Sequence, residues 1–102
     1  MKVLVEGHTY VASNFEGGQG QLIEFIHKVP VSEGSTELQT VTNGTTNEEL
    51  LAILINRMQY LNGKFPCREN SLVITKLEES LMWLEKRTRD RLARNVEGKQ
   101  IA

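Results

Sequence analysis

The chain has 102 residues and a mass of 11.6 kDa, the size of one small domain, so we expect residues 1–102 to fold as a single domain. Apolar residues make up 39% and charged residues 25%, which is typical of globular rather than disordered proteins. The one cysteine excludes a disulfide framework and a cysteine-rich zinc module. Because the sequence has neither a signal-peptide core nor a run of about 20 apolar residues, it predicts a soluble cytosolic protein.

The net charge of −1 hides an asymmetry between the two halves of the chain. Residues 1–50 carry two basic and seven acidic side chains, whereas residues 51–102 carry ten basic and six acidic ones. Halves of opposite sign favour contact within a chain or between copies. The basic half is the candidate surface for an anionic ligand.

Short runs of β-branched and aromatic residues, interrupted by glycine, predict a small antiparallel β-sheet in residues 1–45. Gly7 is expected to form the tight turn of a first hairpin, and Pro30 to end a later strand because it cannot donate a ladder hydrogen bond. The expected strands are Lys2–Glu6, His8–Phe15, Gln21–Val29 and a short edge strand around Leu38–Val41. Three or four strands would form one sheet with one apolar face, and that face needs a cover.

A helical pattern replaces the strand pattern and predicts an antiparallel two-helix hairpin over residues 46–98, followed by a tail at 99–102. Thr46 and Glu49 have the spacing of a capping box at the start of the first helix. Asn62-Gly63 is expected to end that helix with a left-handed residue. The predicted fold class is therefore α+β, with a small N-terminal antiparallel sheet followed by a C-terminal helical hairpin.

The second helix of this hairpin is predicted to be the longer one. Pro66 stands where a first helical residue is favoured, and no glycine or proline follows until Gly98. Its buried stripe repeats at three- and four-residue steps and comprises Ile74, Leu77, Leu81, Leu84, Thr88 and Leu92. The first helix is apolar over more than half its circumference, so we expect it to pack on two partners, such as the sheet, the second helix or a neighbouring subunit.

The end of the second helix carries five basic residues and one acid between Lys86 and Arg94. Two favourable i,i+4 pairs are expected there, Glu85 with Arg89 and Lys86 with Asp90. Arg87 and Arg91 are like charges one turn apart, with no acid one turn before either. Their counter-charge is expected from another element, another subunit or a ligand. A solvated basic helix end, which offsets the helix dipole, is the alternative interpretation of the same charges.

The junction between the helices adds groups that suit a nucleotide. They are Arg57, Tyr60, Phe65, Arg68 and Asn70. Aromatic and guanidinium planes stack on purines, guanidinium groups bind phosphates and an asparagine amide reads an adenine edge. Asn70 and Arg91 would lie about 30 Å apart along one helix, so only antiparallel helices from different copies can bring them to one small ligand. A shared site therefore predicts an oligomer.

Residues 46–98 resemble a helical hairpin of small phage proteins. The segments that carry the resemblance are Thr46–Leu51, Arg57, Phe65–Asn70, Thr75–Glu79, Met82–Leu84 and Lys86–Arg91. That hairpin is shared by the phage Thoeris anti-defence signal-sponge family and the anti-CBASS cyclic-nucleotide sponges. The sheet-forming residues 1–45 favour the first-described Thoeris anti-defence type, because the anti-CBASS sponge is helical throughout. Asn95 stands where the family pattern leads us to expect glycine, and asparagine also tolerates a left-handed conformation.

The resemblance implies a protein that binds and sequesters cyclic ADP-ribose isomers of the glycocyclic type, and in some members CBASS cyclic di- and trinucleotides, without cleaving them. It implies no cofactor, no membrane or polymeric nucleic-acid partner, a homo-oligomer that is hexameric in the family, and action in the cytoplasm of the infected bacterium. By position, the strongest ligand-binding candidates are Asn70, Arg87 and Arg91, followed by Tyr60 as a stacking platform, Arg57, Phe65, Arg89, Lys86 and Arg68.

Two other classes of function compete with this interpretation. A small nucleic-acid-binding or phage structural module could use the same basic helix, and its affinity would fall steeply with salt. A hydrolase would need a base beside a nucleophile, and the only histidines, His8 and His27, lack partners at catalytic or metal-ligating spacing. We expect His27 to be a packed strand residue, and we expect neither a catalytic nor a metal site.

Overall fold

The computed structural model describes residues 1–99 and 101, which form five β-strands followed by two α-helices. The elements are β1 (Lys2–Val5), β2 (Thr9–Ala12), β3 (Gln21–Glu24), β4 (His27–Pro30), β5 (Leu38–Thr42), α1 (Asn47–Lys64) and α2 (Arg68–Ala93). The predicted α+β fold is confirmed, with the strands first and the longer helix last. Neither helix in this described part combines the length and apolar content that a membrane span needs.

The described residues divide into two compact units. The first contains Met1–Thr46 together with the described residues from Gly98 onward, and the second is Asn47–Glu97. In the first unit, Lys99 forms a β-bridge with Glu37 and an ion pair of 3.7 Å between its Nζ and the Glu37 Oε1. The rest of the predicted tail, residues 100–102, lies partly outside the described residues. The expectation of a single domain stays a prediction.

The first unit contains two antiparallel sheets, so the prediction of one sheet is wrong. Strands β1, β2 and β3 form one sheet in that order, and β4 pairs with β5 in the other. The strand predicted at Gln21–Val29 is divided because Thr45 takes over the backbone hydrogen bonds at its centre. Thr45 donates its N–H to the Glu24 carbonyl and accepts from the Ile26 N–H, both at 2.8 Å. The first sheet therefore ends at Glu24, and the second begins at His27.

Gly44 allows the backbone next to Thr45 to approach Glu24 and Phe25 closely. A Cβ at this position would lie 2.7 Å from the carbonyl carbon of Phe25 and closer still to the carbonyl oxygen of Glu24. The predicted turn at Gly7, which has a φ of +78°, and the predicted edge strand at β5 are both confirmed.

The hairpin turn of the second unit differs from the prediction on both sides. α1 continues through Gly63 to Lys64, so the left-handed stop predicted at Asn62-Gly63 is wrong. The reason is that the Asn62 side chain is used across the turn: its Oδ1 accepts from the Cys67 N–H at 3.1 Å, and its Nδ2 donates to the Ser71 hydroxyl at 3.2 Å. At its other end, α1 begins at Asn47, directly after Thr46, as predicted.

α2 begins two residues later than Pro66, the predicted first position. Cys67 is its N-cap, and the Cys67 Sγ accepts from the Asn70 N–H at 3.4 Å. The sulfur therefore satisfies one of the amide groups that a helix start leaves without an intrahelical partner.

α2 ends at Ala93 in a Schellman turn. Asn95 has a φ of 58°, so its predicted left-handed conformation is confirmed. The Asn95 N–H donates to the Leu92 carbonyl at 3.1 Å, and the Val96 N–H donates to the Arg91 carbonyl at 3.0 Å. The helix ends five residues before Gly98 because the N–H groups of this turn already bond to its last carbonyl groups.

The two helices pack on each other, and several of their large apolar side chains remain exposed. The predicted stripe on α2 is half-buried at Ile74, Leu77, Leu81, Leu84 and Thr88. Leu92, which was predicted to belong to the same stripe, is 61% exposed, so that part of the prediction is wrong. No apolar side chain among the described residues is fully buried. Large apolar groups on both helices, including Ile53, Leu72, Val73 and Trp83, remain exposed.

Candidate functional site in the helical hairpin

The candidate ligand-binding residues fall into two groups on the hairpin. We call Arg57, Tyr60, Phe65, Arg68 and Asn70 the junction cluster, and Lys86, Arg87, Arg89 and Arg91 the helix-end cluster. Asn70 and Arg91 lie on one uninterrupted helix, so the rise of about 1.5 Å per residue separates them by about 30 Å. The structure of one chain therefore does not bring the two clusters together.

In the helix-end cluster, Lys86 and Asp90 form the predicted pair. The Lys86 Nζ donates to the Asp90 Oδ2 at 2.7 Å. This hydrogen bond is the main cause that holds the pKa of Asp90 below its usual value of 3.8, and the charges of Lys86, Arg89 and Arg94 act in the same direction. The pair predicted between Glu85 and Arg89 does not form among the residues that the structure describes.

Arg91 is the one buried residue in the described part of the chain, with 3% of its surface exposed. Its Nη2 donates to the Val96 carbonyl at 2.8 Å, and its Nε lies 3.4 Å from the Glu97 Oε2. The counter-charge expected from another element, another subunit or a ligand is thus supplied by the turn that follows α2. We call the contacts among Arg91, Val96 and Glu97 the arginine clasp.

Arg87 differs from Arg91 although the sequence pattern treats them as a pair. Arg87 lies one turn earlier on α2 and is exposed. Its guanidinium is therefore accessible to solvent, whereas that of Arg91 contacts Val96 and Glu97. Arg89 is also exposed.

Glu97 is a residue that the sequence reasoning missed. It follows Arg91 by six positions, outside the i,i+3 and i,i+4 spacings at which helical side chains meet. The signal that could have revealed it is Asn95. A left-handed residue directly after a helix reverses the chain and brings the next residues back beside the last turn.

The junction cluster exposes its aromatic groups. Phe65, in the turn between the helices, is 79% exposed, and Tyr60 is 60% exposed. The Lys64 Nζ lies 4.7 Å from the centre of the Tyr60 ring, a cation–π contact at i,i+4 spacing that the sequence reasoning missed. Lys64 therefore covers one face of the Tyr60 ring.

The polar residues of the junction cluster have different environments. Arg57 and Arg68 are exposed, whereas Asn70 is half-buried. Asn70 uses its backbone N–H to cap α2 through Cys67. The cap does not involve the Asn70 side-chain amide, which is the group that the sequence predicts to bind the edge of a base.

The two histidines lie in the first unit and pack on each other. The rings of His8 and His27 stack with centroids 3.6 Å apart and an interplanar angle of 8°. Tyr10 and Phe25 meet edge to face beside them in the sequence, with centroids 5.9 Å apart. His27 is thus a packed strand residue, as predicted. Among residues 1–99 and 101, no group of three or more histidine, cysteine, aspartate or glutamate side chains is placed to hold a metal ion.

Comparison with known proteins identifies the hairpin. A family described as "Acb2/Tad1, hairpin domain" matches residues 22–89. The chain belongs to the Acb2/Tad1 hairpin family. The family assignment made from the sequence is thereby confirmed. The match begins in β3 and ends at Arg89, so it contains every candidate residue of both clusters except Arg91.

A curated relative of this Acb2/Tad1 chain is "Thoeris anti-defense 1" of Bacillus phage SBSphiJ7. The two sequences are 48% identical over 83 residues, an alignment that covers 70% of this chain and 58% of the relative. The chain therefore spans little more than half the length of that relative.

Proposed function

We propose that this chain is a phage anti-defence protein that binds a cyclic nucleotide immune signal and withholds it from its effector without cleaving it, in the cytoplasm of the infected bacterium. Support comes from the family match over residues 22–89, which contains eight of the nine candidate ligand-binding residues. The 48% identity to a Thoeris anti-defence protein favours the cyclic ADP-ribose isomers as the signal class. Cyclic di- and trinucleotides of CBASS systems are the second class that the proposal includes.

The chemistry of the two clusters suits such a ligand. The exposed guanidinium groups of Arg87 and Arg89 would bind phosphate oxygens, and Tyr60 or Phe65 would stack on the base. Charge-assisted hydrogen bonds contribute about 1.5–3 kcal/mol each, so at the upper end of this range four or five with one stacked base can reach about 10 kcal/mol after the costs of association. That free energy corresponds to a dissociation constant of tens of nanomolar, roughly what a stoichiometric trap requires.

We also propose that the chain works as a homo-oligomer, a hexamer by analogy with the family, with pockets between subunits. Large apolar side chains on both helices, such as Ile53, Leu72 and Trp83, are exposed. An antiparallel neighbour would cover part of this surface and bring the junction cluster of one copy to the helix-end cluster of another.

The test is to mix the protein with an excess of a glycocyclic ADP-ribose, remove unbound ligand by gel filtration and then denature the protein by heat. We expect the released ligand to be chemically intact and present in a fixed ratio to protein. Arg87→Gln should reduce retention at least tenfold. Lys76→Gln, which removes the same charge from an exposed position outside both clusters, should leave retention unchanged.

Three results would contradict the proposal. A converted nucleotide in the released fraction would indicate an enzyme. Absence of any retained cyclic nucleotide would exclude sequestration. Salt-sensitive binding of DNA or RNA of any length, without selectivity for small cyclic nucleotides, would support the nucleic-acid-binding alternative.

A further inference from the structure

In the arginine clasp, Arg91 and Val96 each donate one hydrogen bond to the other. The Val96 N–H donates to the Arg91 backbone carbonyl, and the Val96 carbonyl accepts from the Arg91 side chain at 2.8 Å. Glu97 supplies a carboxylate 3.4 Å from the Arg91 Nε. The guanidinium is thus oriented and neutralised by residues that directly follow the helix it belongs to.

The contact with Glu97 is the weaker half of the clasp. Charge-assisted N–H···O bonds are shortest and strongest at about 2.7–2.9 Å, and the distance of 3.4 Å here is longer. The Glu97 side chain is 36% exposed, whereas that of Arg91 is 4% exposed. The Glu97 carboxylate is therefore more accessible to solvent than the Arg91 guanidinium with which it pairs.

We infer that Glu97 limits the affinity of the helix-end cluster for a phosphate-bearing ligand. Its carboxylate competes with the phosphates of the ligand for the Arg91 guanidinium. An arginine fork presents the same donors to a carboxylate and to a phosphate, so the two anions compete for the same edge. This inference rests on the proposed function, because it needs a phosphate-bearing ligand at the helix-end cluster. It assigns Arg91 a role in binding only after Glu97 has been displaced.

The competition predicts the sign of a substitution. Glu97→Gln keeps the size of the side chain and an acceptor oxygen but removes the charge that the ligand must displace. An ion-assisted contact exceeds a neutral one by about a factor of five in an equilibrium constant. We therefore expect Glu97→Gln to bind the ligand about fivefold more tightly. A purely structural role of Glu97 would weaken binding instead.

The experiment measures the dissociation constant of a glycocyclic ADP-ribose by calorimetry for the full chain and two variants. The matched control is Glu85→Gln, which changes the charge by the same amount at an exposed position of α2. A fivefold gain for Glu97→Gln with less than a twofold change for Glu85→Gln supports the inference. Equal constants for the two variants, or weaker binding by Glu97→Gln, overturn it while the proposed function stands.

A second measurement needs no substitution. The Arg91 Nε–H resonance of the natural chain should shift when the ligand is added, because Glu97 leaves and a phosphate oxygen takes its place. An unchanged resonance at saturating ligand overturns the inference. If the natural chain binds no cyclic nucleotide in the calorimeter, the proposed function fails together with the inference.

Discussion

Removal of the Arg91 side chain should destabilise the protein far more than removal of Arg87, although the two arginines are one turn apart. Arg91→Gln loses the charge-assisted hydrogen bond to the Val96 carbonyl, which is worth about 1.5–3 kcal/mol. The ion pair with the partly exposed Glu97 adds less than about 1 kcal/mol. We expect the free energy of unfolding to fall by about 2–3 kcal/mol, whereas Arg87→Gln, at an exposed position, should change it by less than about 0.5 kcal/mol.

The assay is thermal unfolding followed by circular dichroism at one fixed protein concentration, because any assembly makes Tm concentration-dependent. For a chain of this length, 1 kcal/mol shifts Tm by roughly 4–8 °C. Arg91→Gln should therefore melt roughly 10 °C or more below the natural chain, and Arg87→Gln within about 4 °C of it. Melting of the two variants at the same temperature would refute the clasp as a stabilising contact.

Three further changes test other parts of the structure. Asn62→Ala removes two hydrogen bonds across the hairpin turn, and chemical denaturation should show that the free energy of unfolding falls by about 1–2 kcal/mol. An unchanged free energy of unfolding would show that these hydrogen bonds do not stabilise the turn. Gly44→Ala places a Cβ against the Glu24 carbonyl and should cost about 1–3 kcal/mol by the same measurement, so full stability would disprove that close approach. The lowered pKa of Asp90 means that its contribution to stability is present above the usual value of 3.8 and is lost as the pH falls through the lower, folded value. An NMR titration should show that Lys86→Gln raises the Asp90 pKa towards 3.8, and an unaltered titration would exclude the Lys86 contact as its cause.

The parts of the fold set by local chemistry could be predicted from the sequence. The start of α1 directly after Thr46, the turn at Gly7 and the left-handed Asn95 each depend on residues within a few positions of their own. The apolar repeat that marks most of the α2 stripe is equally local. The order of the elements, from strands to a hairpin with a long second helix, follows from these signals.

The errors arose where a distant residue took over a local role. Thr45 interrupts the strand predicted across Glu24 and His27 because it forms backbone hydrogen bonds with Glu24 and Ile26, which precede it by 21 and 19 residues. Asn62 resembles a helix stop but bonds across the turn instead, so α1 continues past it. Such partners are fixed by tertiary contacts, which periodicity and propensity do not encode.

The candidate site divides in the same way. Helical spacing predicted the pair of Lys86 and Asp90, and the family match covers most of the residues proposed to bind the ligand. The same spacing predicted that Arg87 and Arg91 both lack an acidic partner, because it compares only residues one turn apart on a continuous helix. The partner of Arg91 lies beyond the helix end, where the Schellman turn reverses the chain.

The central claim is that several copies of this chain together hold an intact cyclic nucleotide. Native mass spectrometry with a glycocyclic ADP-ribose tests it most directly, because one spectrum reports the number of subunits and the mass of the bound ligand. We expect an oligomer, with six subunits as the proposed number, that carries ligand of unaltered mass. A protein that remains a monomer, or an oligomer whose mass is unchanged at excess ligand, would contradict the account.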